Sequence, residues 1–280
     1  MSYDKIVDSS ALDASLTSVA NAIRVKTGKT ATMTLSEMST EIEGISGGGD
    51  TTVEDSLVTR TVTEYTNDRV TKVGDYAFYG CSKLTSVDFP LVTSIGTYAF
   101  YGCSALPSAD FPQATSIGTY AFCNCSALPS VSFPQATSIG NYAFRSCLKL
   151  TSADFPQATS VGNSAFSACS ALTTADFPNA TSIGNNAFQN CSSLTSADFP
   201  QATSLGGSAF YNCSKLTALV LRNTSNVCSL GSTGAFTNTP IKSGTGYIYV
   251  PDALVDSYKA ATNWSTYAAQ IKPLSEYTGG

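Results

Sequence analysis

An α/β solenoid built from 22-residue coils is the fold class this sequence predicts, and three observations carry the expectation. An Ala-Phe pair recurs at Ala77-Phe78, Ala99-Phe100, Ala121-Phe122, Ala143-Phe144, Ala165-Phe166, Ala187-Phe188 and Ala209-Phe210, always 22 residues apart. Cys81, Cys103, Cys125, Cys147, Cys169, Cys191 and Cys213 follow in the same phase, three residues after each Phe. Between the pairs, short alternating segments such as Ser86-Val87-Asp88-Phe89 end at a proline. A fixed short period means that each unit buries its apolar face against its neighbours.

Residues 1–46 read differently from the rest. Leu12, Leu16, Val19 and Ile23 are spaced 4, 3, 4 and share one helical face, with Gly28 placed to end that helix. Thr34 with Glu37 three residues on forms a capping box for a second helix bearing Leu35, Met38, Ile42 and Ile45. Two amphipathic helices this short bury too little surface to fold alone. Their apolar faces are expected to meet copies of themselves or a larger partner, or else to pack as a hairpin on the first coil. Residues 47–57, with Gly47-Gly48-Gly49 at their start, read as a linker.

Residues 58–238 hold the coils. The stretch before Ala77 lacks the Ala-Phe marker and reads as an atypical coil capping the open end. Inside the repeat, Leu84, Val87 and Phe89 have the L-x-x-L-x-L spacing of a leucine-rich repeat. Alternation sends Val87 and Phe89 inward while Ser86 and Asp88 face out. Pro90 and its counterparts end the strand. The chain then turns at Ile95-Gly96 into an expected short helical segment carrying Ala99, Phe100 and Cys103 inward. Stacked strands would form one parallel sheet. After Leu216 the period fails, and residues 239–280 read as a cap: a strand at Tyr247–Val250, a helical DALVDSYKAA, and Trp264 with Tyr258 covering the last coil.

Composition narrows the function. The chain is 42% hydrophobic but only 12% charged, with net charge −5 and pI near 4.7. It has no basic face with which to displace counterions from nucleic acid, so no nucleic-acid partner is expected. No apolar run approaches the roughly 18–20 residues that span a bilayer, so no membrane insertion is expected. The opening MSYDKIVDSSALDASL lacks the apolar core of a secretory peptide. Histidine is absent and the nine cysteines form no zinc-spaced pairs, so neither a metal nor a cofactor is expected. The cysteine file reads as a reduced core ladder, which suits a reducing cytoplasm, with disulfides between coils as the alternative. No nucleophile elbow or phosphate loop occurs. The carboxylates are copies of one environment, whereas acid–base catalysis needs two unlike ones. No enzyme, and no catalytic residue, is expected.

Two polar or aromatic files are candidate binding features. Asp88, Asp110, Asp154, Asp176 and Asp198 make an outward acidic stripe, interrupted by Ser132. Stacked carboxylates repel, so they call for protons, cations or hydroxyl partners, or are simply a solvated position copied by duplication. Tyr76, Tyr98, Tyr120 and Tyr142 occupy one repeat position that becomes Ser164, Asn186 and Ser208 further on, and Tyr79 and Tyr101 lie three residues after the first two. Such a patch suits contact with a protein or a glycan, or else the rings stack to shield neighbouring coils.

The pattern S-I-G-x-x-A-F-x-x-C-x-x-L-x-x-x-x-F-P resembles the BspA-like leucine-rich repeats of bacterial surface and phage proteins, over about residues 58–238. Val92, Ala114, Ala136, Ala158, Ala180 and Ala202 stand where other leucine-rich repeats carry Asn, which fits this subfamily. YVPDALVDSYKAATNWSTYAAQIKP resembles the C-terminal cap of the same family. The resemblance implies a right-handed solenoid and a binding role. VANAIRVKTGKTATMTLSEMSTEIEGI is similar to short N-terminal modules in tail-associated proteins from phages of gut Firmicutes. It implies a virion tail component, made in the bacterial cytoplasm, that meets other virion proteins through residues 1–46 and a cell-surface protein or glycan receptor through its coils. The other setting is a BspA-like adhesin on the bacterial surface, binding host proteins.

Overall fold

The computed structural model of the chain describes residues 51–53 and 62–279. The expected helices within 1–46 lie outside the described residues, as does most of the expected linker. From residue 62 onward the chain winds as a solenoid whose paired strands run parallel, about one repeat apart. Ser94–Ile95 pairs with Ser116–Ile117, then Ser138–Ile139, Ser160–Val161, Ser182–Ile183, Ser204–Leu205 and Ser229–Leu230 in one continuous ladder. These strands are two residues long because a glycine follows each of them. A Cβ on Gly118 would lie 2.6 Å from the carbonyl carbon of Gly96, so only a bare backbone packs this closely on the preceding coil.

A second ladder uses the Ser-Ala-Asp segments and is broken in the first half of the rod. Glu64–Thr66 pairs with Ser86–Asp88, and Ser130–Ser132 pairs with Ser152–Asp154. Only an isolated bridge, Asp110 to Ser132, connects the coil between those pairs. From Thr174–Asp176 the sheet runs unbroken through Ser196–Phe199 and Ala218–Leu221 to Tyr247–Val250 and Ile271–Pro273. Proline explains the gap around Asp110, while the further break between Ser152–Asp154 and Thr174–Asp176 has a stretched bond instead, Thr173 N–H to Thr151 O at 3.4 Å. Thr85, Thr151 and Thr195 each donate their N–H to the coil before, at 2.7, 2.8 and 2.9 Å. Pro107 and Pro129 occupy the same repeat position and have no N–H to give.

The expected single sheet is therefore two ladders, and the expected helical segments after each glycine are not helices. Residues 96–103 form consecutive turns, with Ala99 N–H on Gly96 O, Tyr101 on Tyr98 and Cys103 on Phe100. The intervening N–H groups leave the coil: Tyr98 donates to Thr119 O at 2.9 Å, Phe100 to Ala121 at 2.7 Å and Gly102 to Cys123 at 2.8 Å. Two left-handed residues per coil, here Tyr98 (φ 55°) and Gly102 (φ 73°), produce that alternation and prevent helix formation. Among the described residues α-helix is confined to Pro240–Ser243 and Val255–Ala260 near the C-terminus. None is long and apolar enough to cross a membrane.

The interior is two files of phenylalanine and one of cysteine. Phe78, Phe100, Phe122, Phe144, Phe166, Phe188, Phe210 and Phe236 stack nearly parallel with centroids 5.0–5.6 Å apart. The file from Phe89 to Phe199 runs beside it, each ring tilted against the first file. The nine cysteines are free and buried. Cys103 donates its thiol to Phe78 O at 3.2 Å, and every later member of the file does the same one coil on. Burial pushes the thiols of Cys103, Cys125, Cys147, Cys191 and Cys213 up, to about 12 for Cys213, so these stay protonated and unreactive.

Both ends of these files are closed by aromatics. Tyr65 meets Phe78 edge-on at 5.3 Å and Phe89 at 5.6 Å. At the other end Tyr267 meets Phe236 edge-on at 5.0 Å, with Trp264 beside it at 6.2 Å. The expected cap is tied by hydrogen bonds: Trp264 Nε1 donates to Cys228 O at 2.6 Å, and Cys228 N–H donates to the Tyr258 hydroxyl at 2.9 Å.

Candidate binding surface

The six tyrosines singled out in the sequence come together as one strip of two columns. Tyr76, Tyr98, Tyr120 and Tyr142 are parallel within 11°, with centroids 5.0, 4.6 and 4.4 Å apart. Tyr79 and Tyr101 form the second column, stacked at 5.0 Å. Tilted contacts of 5.5–6.1 Å join the columns. The strip begins at Tyr76, 46% exposed. It ends at Tyr142, where the Arg145 guanidinium lies 5.8 Å from the ring centroid. Crowding by the neighbouring rings removes hydration and pushes the Tyr98 and Tyr120 hydroxyls above their usual range. The adjacent tyrosines add to that shift. These groups are therefore protonated donors at any physiological pH.

The backbone beneath the first column is left-handed throughout: φ is 60° at Tyr76, 55° at Tyr98, 56° at Tyr120 and 58° at Tyr142. Ser164, Asn186 and Ser208 continue the same conformation at 53°, 56° and 55°. A residue with a Cβ costs about 1–2 kcal/mol there, and the conformation favours Asn over a bulky ring. Stacking returns about 0.5–1.5 kcal/mol per ring pair. The backbone thus favours a residue like Asn186, and ring stacking offsets much of what a tyrosine costs there.

The acidic stripe is placed together only in part. Asp176 aligns with Asp198, but Ser132 separates Asp110 from Asp154 and donates to Asp154 Oδ2 at 3.1 Å. Arg222 closes the other end with Nε and Nη2 on Asp198 at 3.0 and 2.7 Å. Between them, lost hydration and then Asp198 push Asp176 above the ordinary carboxylate range. The expected repulsion is thus met by a serine hydroxyl, a guanidinium and a shifted carboxyl.

Two overlapping matches to the BspA type leucine rich repeat region cover residues 61–159 and 137–250. The chain belongs to the BspA type leucine-rich-repeat family. Among solved structures, a leucine-rich repeat protein from Bacteroides ovatus is 28% identical with a TM-score of 0.52, over 68% of this chain and 56% of that one. A leucine-rich repeat protein of T. pallidum is 26% identical with a TM-score of 0.45, over 70% of this chain and 81% of that one. A leucine rich cell surface protein from Faecalibacterium prausnitzii is 25% identical with a TM-score of 0.41, over 59% and 61%. The chain thus spans less than two thirds of the Bacteroides and Faecalibacterium proteins. Comparison with curated proteins finds no match.

This BspA type solenoid carries a second aromatic surface that sequence reasoning missed. Tyr247, Tyr249 and Tyr277 cluster at 6.3 and 4.8 Å on the outer face of the C-terminal strands. Lys272 Nζ lies 5.7 Å from the Tyr247 ring and the Arg222 guanidinium 6.0 Å from that of Tyr277. Its residues come from three segments outside the 22-residue period, so no file announced them. An uncharged, shallow groove of about 530 Å³ also runs along the Ser-Ile-Gly ladder between Asn141 and Gly231.

Proposed function

We propose that the chain is a non-catalytic rod that displays a binding surface, and that its tyrosine strip contacts a protein or glycan on a cell. One observation carries this reading: tyrosines are gathered in two half-buried columns at the surface, Tyr76 the most open, on a backbone that elsewhere holds Ser164 and Asn186. Each ring combines apolar area with a hydroxyl, and tyrosine is enriched where proteins meet partners. In the first setting the rod is a tail fibre or receptor-binding component of a phage or prophage. Residues 1–46 then join it to other virion proteins or to copies of itself, as the resemblance of residues 19–45 suggests. In the second it is a bacterial surface adhesin binding host proteins, a setting compatible with its repeat family.

Labelled full-length chain should bind cells of gut Firmicutes in the first setting and immobilised host matrix proteins in the second. The Tyr98→Ser/Tyr120→Ser double variant should lose that binding while still folding and unfolding cooperatively, at a somewhat lower temperature because three ring stacks are gone. Undiminished binding by the variant would remove the strip from the account. Light scattering of the full chain against one lacking residues 1–49 tests the attachment role, with loss of self-association expected.

A further inference from the structure

We infer that the tyrosine strip takes its ligand edge-on, through a row of phenol hydroxyls, and that this ligand is an uncharged linear polysaccharide lying along the rod axis. The inference rests on the strip being the binding surface and adds the class of ligand. Ring stacking supplies the first step. Tyr98 lies between Tyr76 and Tyr120, and Tyr120 between Tyr98 and Tyr142, all nearly parallel at 4.4–5.0 Å. Both faces of these inner rings are covered, so a ligand cannot stack on them. What remains open is the edge of each ring and its hydroxyl.

Those hydroxyls are free to bind. Among the described residues those of Tyr98, Tyr120 and Tyr142 have no hydrogen-bond partner. Thr97 and Thr119 lie one residue before Tyr98 and Tyr120, bringing further hydroxyl groups to the same rungs. The inner phenols stay protonated, so each can both donate and accept.

Spacing and charge then select the ligand. The hydroxyls repeat once per coil, the 4.4–5.0 Å interval of the rings that carry them. An extended peptide offers same-side groups only every second residue, about 6.6–6.8 Å apart, and falls out of step within two rungs. One rung is close to the advance per sugar ring of an extended β-1,4-linked polysaccharide, whose sugars flip in turn but carry hydroxyls on both edges and so bring one to each rung. The first column carries no charge along its length. Asp75 precedes it, with Oδ1 accepting the Thr97 N–H at 2.6 Å, and Arg145 lies at its far end against Tyr142. A neutral, hydroxyl-rich chain meets no desolvated ion there, whereas a polyanion would find one cation and one carboxylate.

The test is calorimetric titration of the full chain with cello-, chito- and manno-oligosaccharides, all β-1,4-linked, of increasing length. Affinity should rise with each added sugar until the oligomer reaches from Tyr76 to Tyr142, then level off. The Tyr98→Phe/Tyr120→Phe double variant keeps the stacked rings and loses two hydroxyls. It should bind about ten-fold more weakly at unchanged thermal stability, two exposed hydrogen bonds at ~0.5–1.5 kcal/mol each. Equal binding by the Phe and parent chains would overturn the edge-on reading. So would binding to a protein with none to any of the three sugar series, although the strip itself would then survive. If the Ser double variant also binds undiminished, the strip is not the site and both readings fall.

Discussion

The coils from Tyr76 to Tyr142 and those from Ser164 to Asn238 share one interior and differ on almost every outward feature. In both, Phe stacks on Phe, Cys donates to the Phe carbonyl one coil back, and the Ser-Ile-Gly ladder runs without a break. The first half carries stacked tyrosines and two prolines that interrupt its second ladder. The second half carries Ser, Asn and Gln on its turns with a single tyrosine, Tyr211, and an unbroken sheet that continues into the C-terminal cap. A repeat duplicated as a unit conserves what each coil needs from its neighbours, and leaves free what faces solvent. Surface chemistry can therefore diverge from coil to coil without disturbing the winding.

That contrast can be broken most decisively in the core, where it should vanish. Phe100→Ala and Phe188→Ala should each cost about 3–5 kcal/mol, and urea unfolding should give the two nearly the same loss. A large disparity would mean that the two halves are not equivalent inside.

The second ladder should show the difference next. Thr195→Pro removes the N–H on Thr173 O and the hydroxyl bond beside it. It should cost about 1–3 kcal/mol and expose amides of the C-terminal sheet to hydrogen exchange. Pro129→Thr supplies the missing donor in the first half but also loosens the unfolded chain. Its net effect should stay under about 1 kcal/mol.

A smaller effect lies in the left-handed turns. Ala168 holds φ 61° where Gly102 holds 73°. Ala168→Gly should gain about 0.5–1 kcal/mol and Gly102→Ala should lose about 1, a reciprocal shift visible in thermal melts. Two losses would show that the turn's side chain, not its backbone, sets the energy.

The acidic stripe sharpens the comparison with the smallest change. Asp176 has its folded value raised, so the stability it confers is fully present below the unfolded carboxylate value of about 3.9. That stability is lost as pH rises through the raised folded value. Asp176→Asn should therefore stabilise at neutral pH by under about 1 kcal/mol, an advantage that disappears in acid. Ser132→Asp in the other half should do the reverse, since it replaces the Asp154 hydroxyl partner with a like charge. Melting temperatures across the pH range would reveal either sign error.

The period alone determined which side chains share a file. Because every coil repeats after 22 residues, the inward Phe, Leu and Cys, the outward Asp and Tyr, and the irregular ends near Tyr65 and Trp264 could be assigned from the sequence. What only the tertiary structure decided was where the backbone N–H groups go. A helical turn and the observed turn bury the same Ala99, Phe100 and Cys103. The choice between them lies in the sign of φ at two positions per coil, and only the glycines and asparagines, such as Gly80, Gly102, Asn124 and Asn186, advertise it. Tyr98, Ser146 and Ala168 adopt the same conformation with no compositional signal. Inter-coil hydrogen bonds impose it, and they exist only once the neighbouring coil is in place. The tyrosine columns and the Arg222–Asp198 pair have the same origin, since each requires residues about one repeat apart to lie on adjacent rungs.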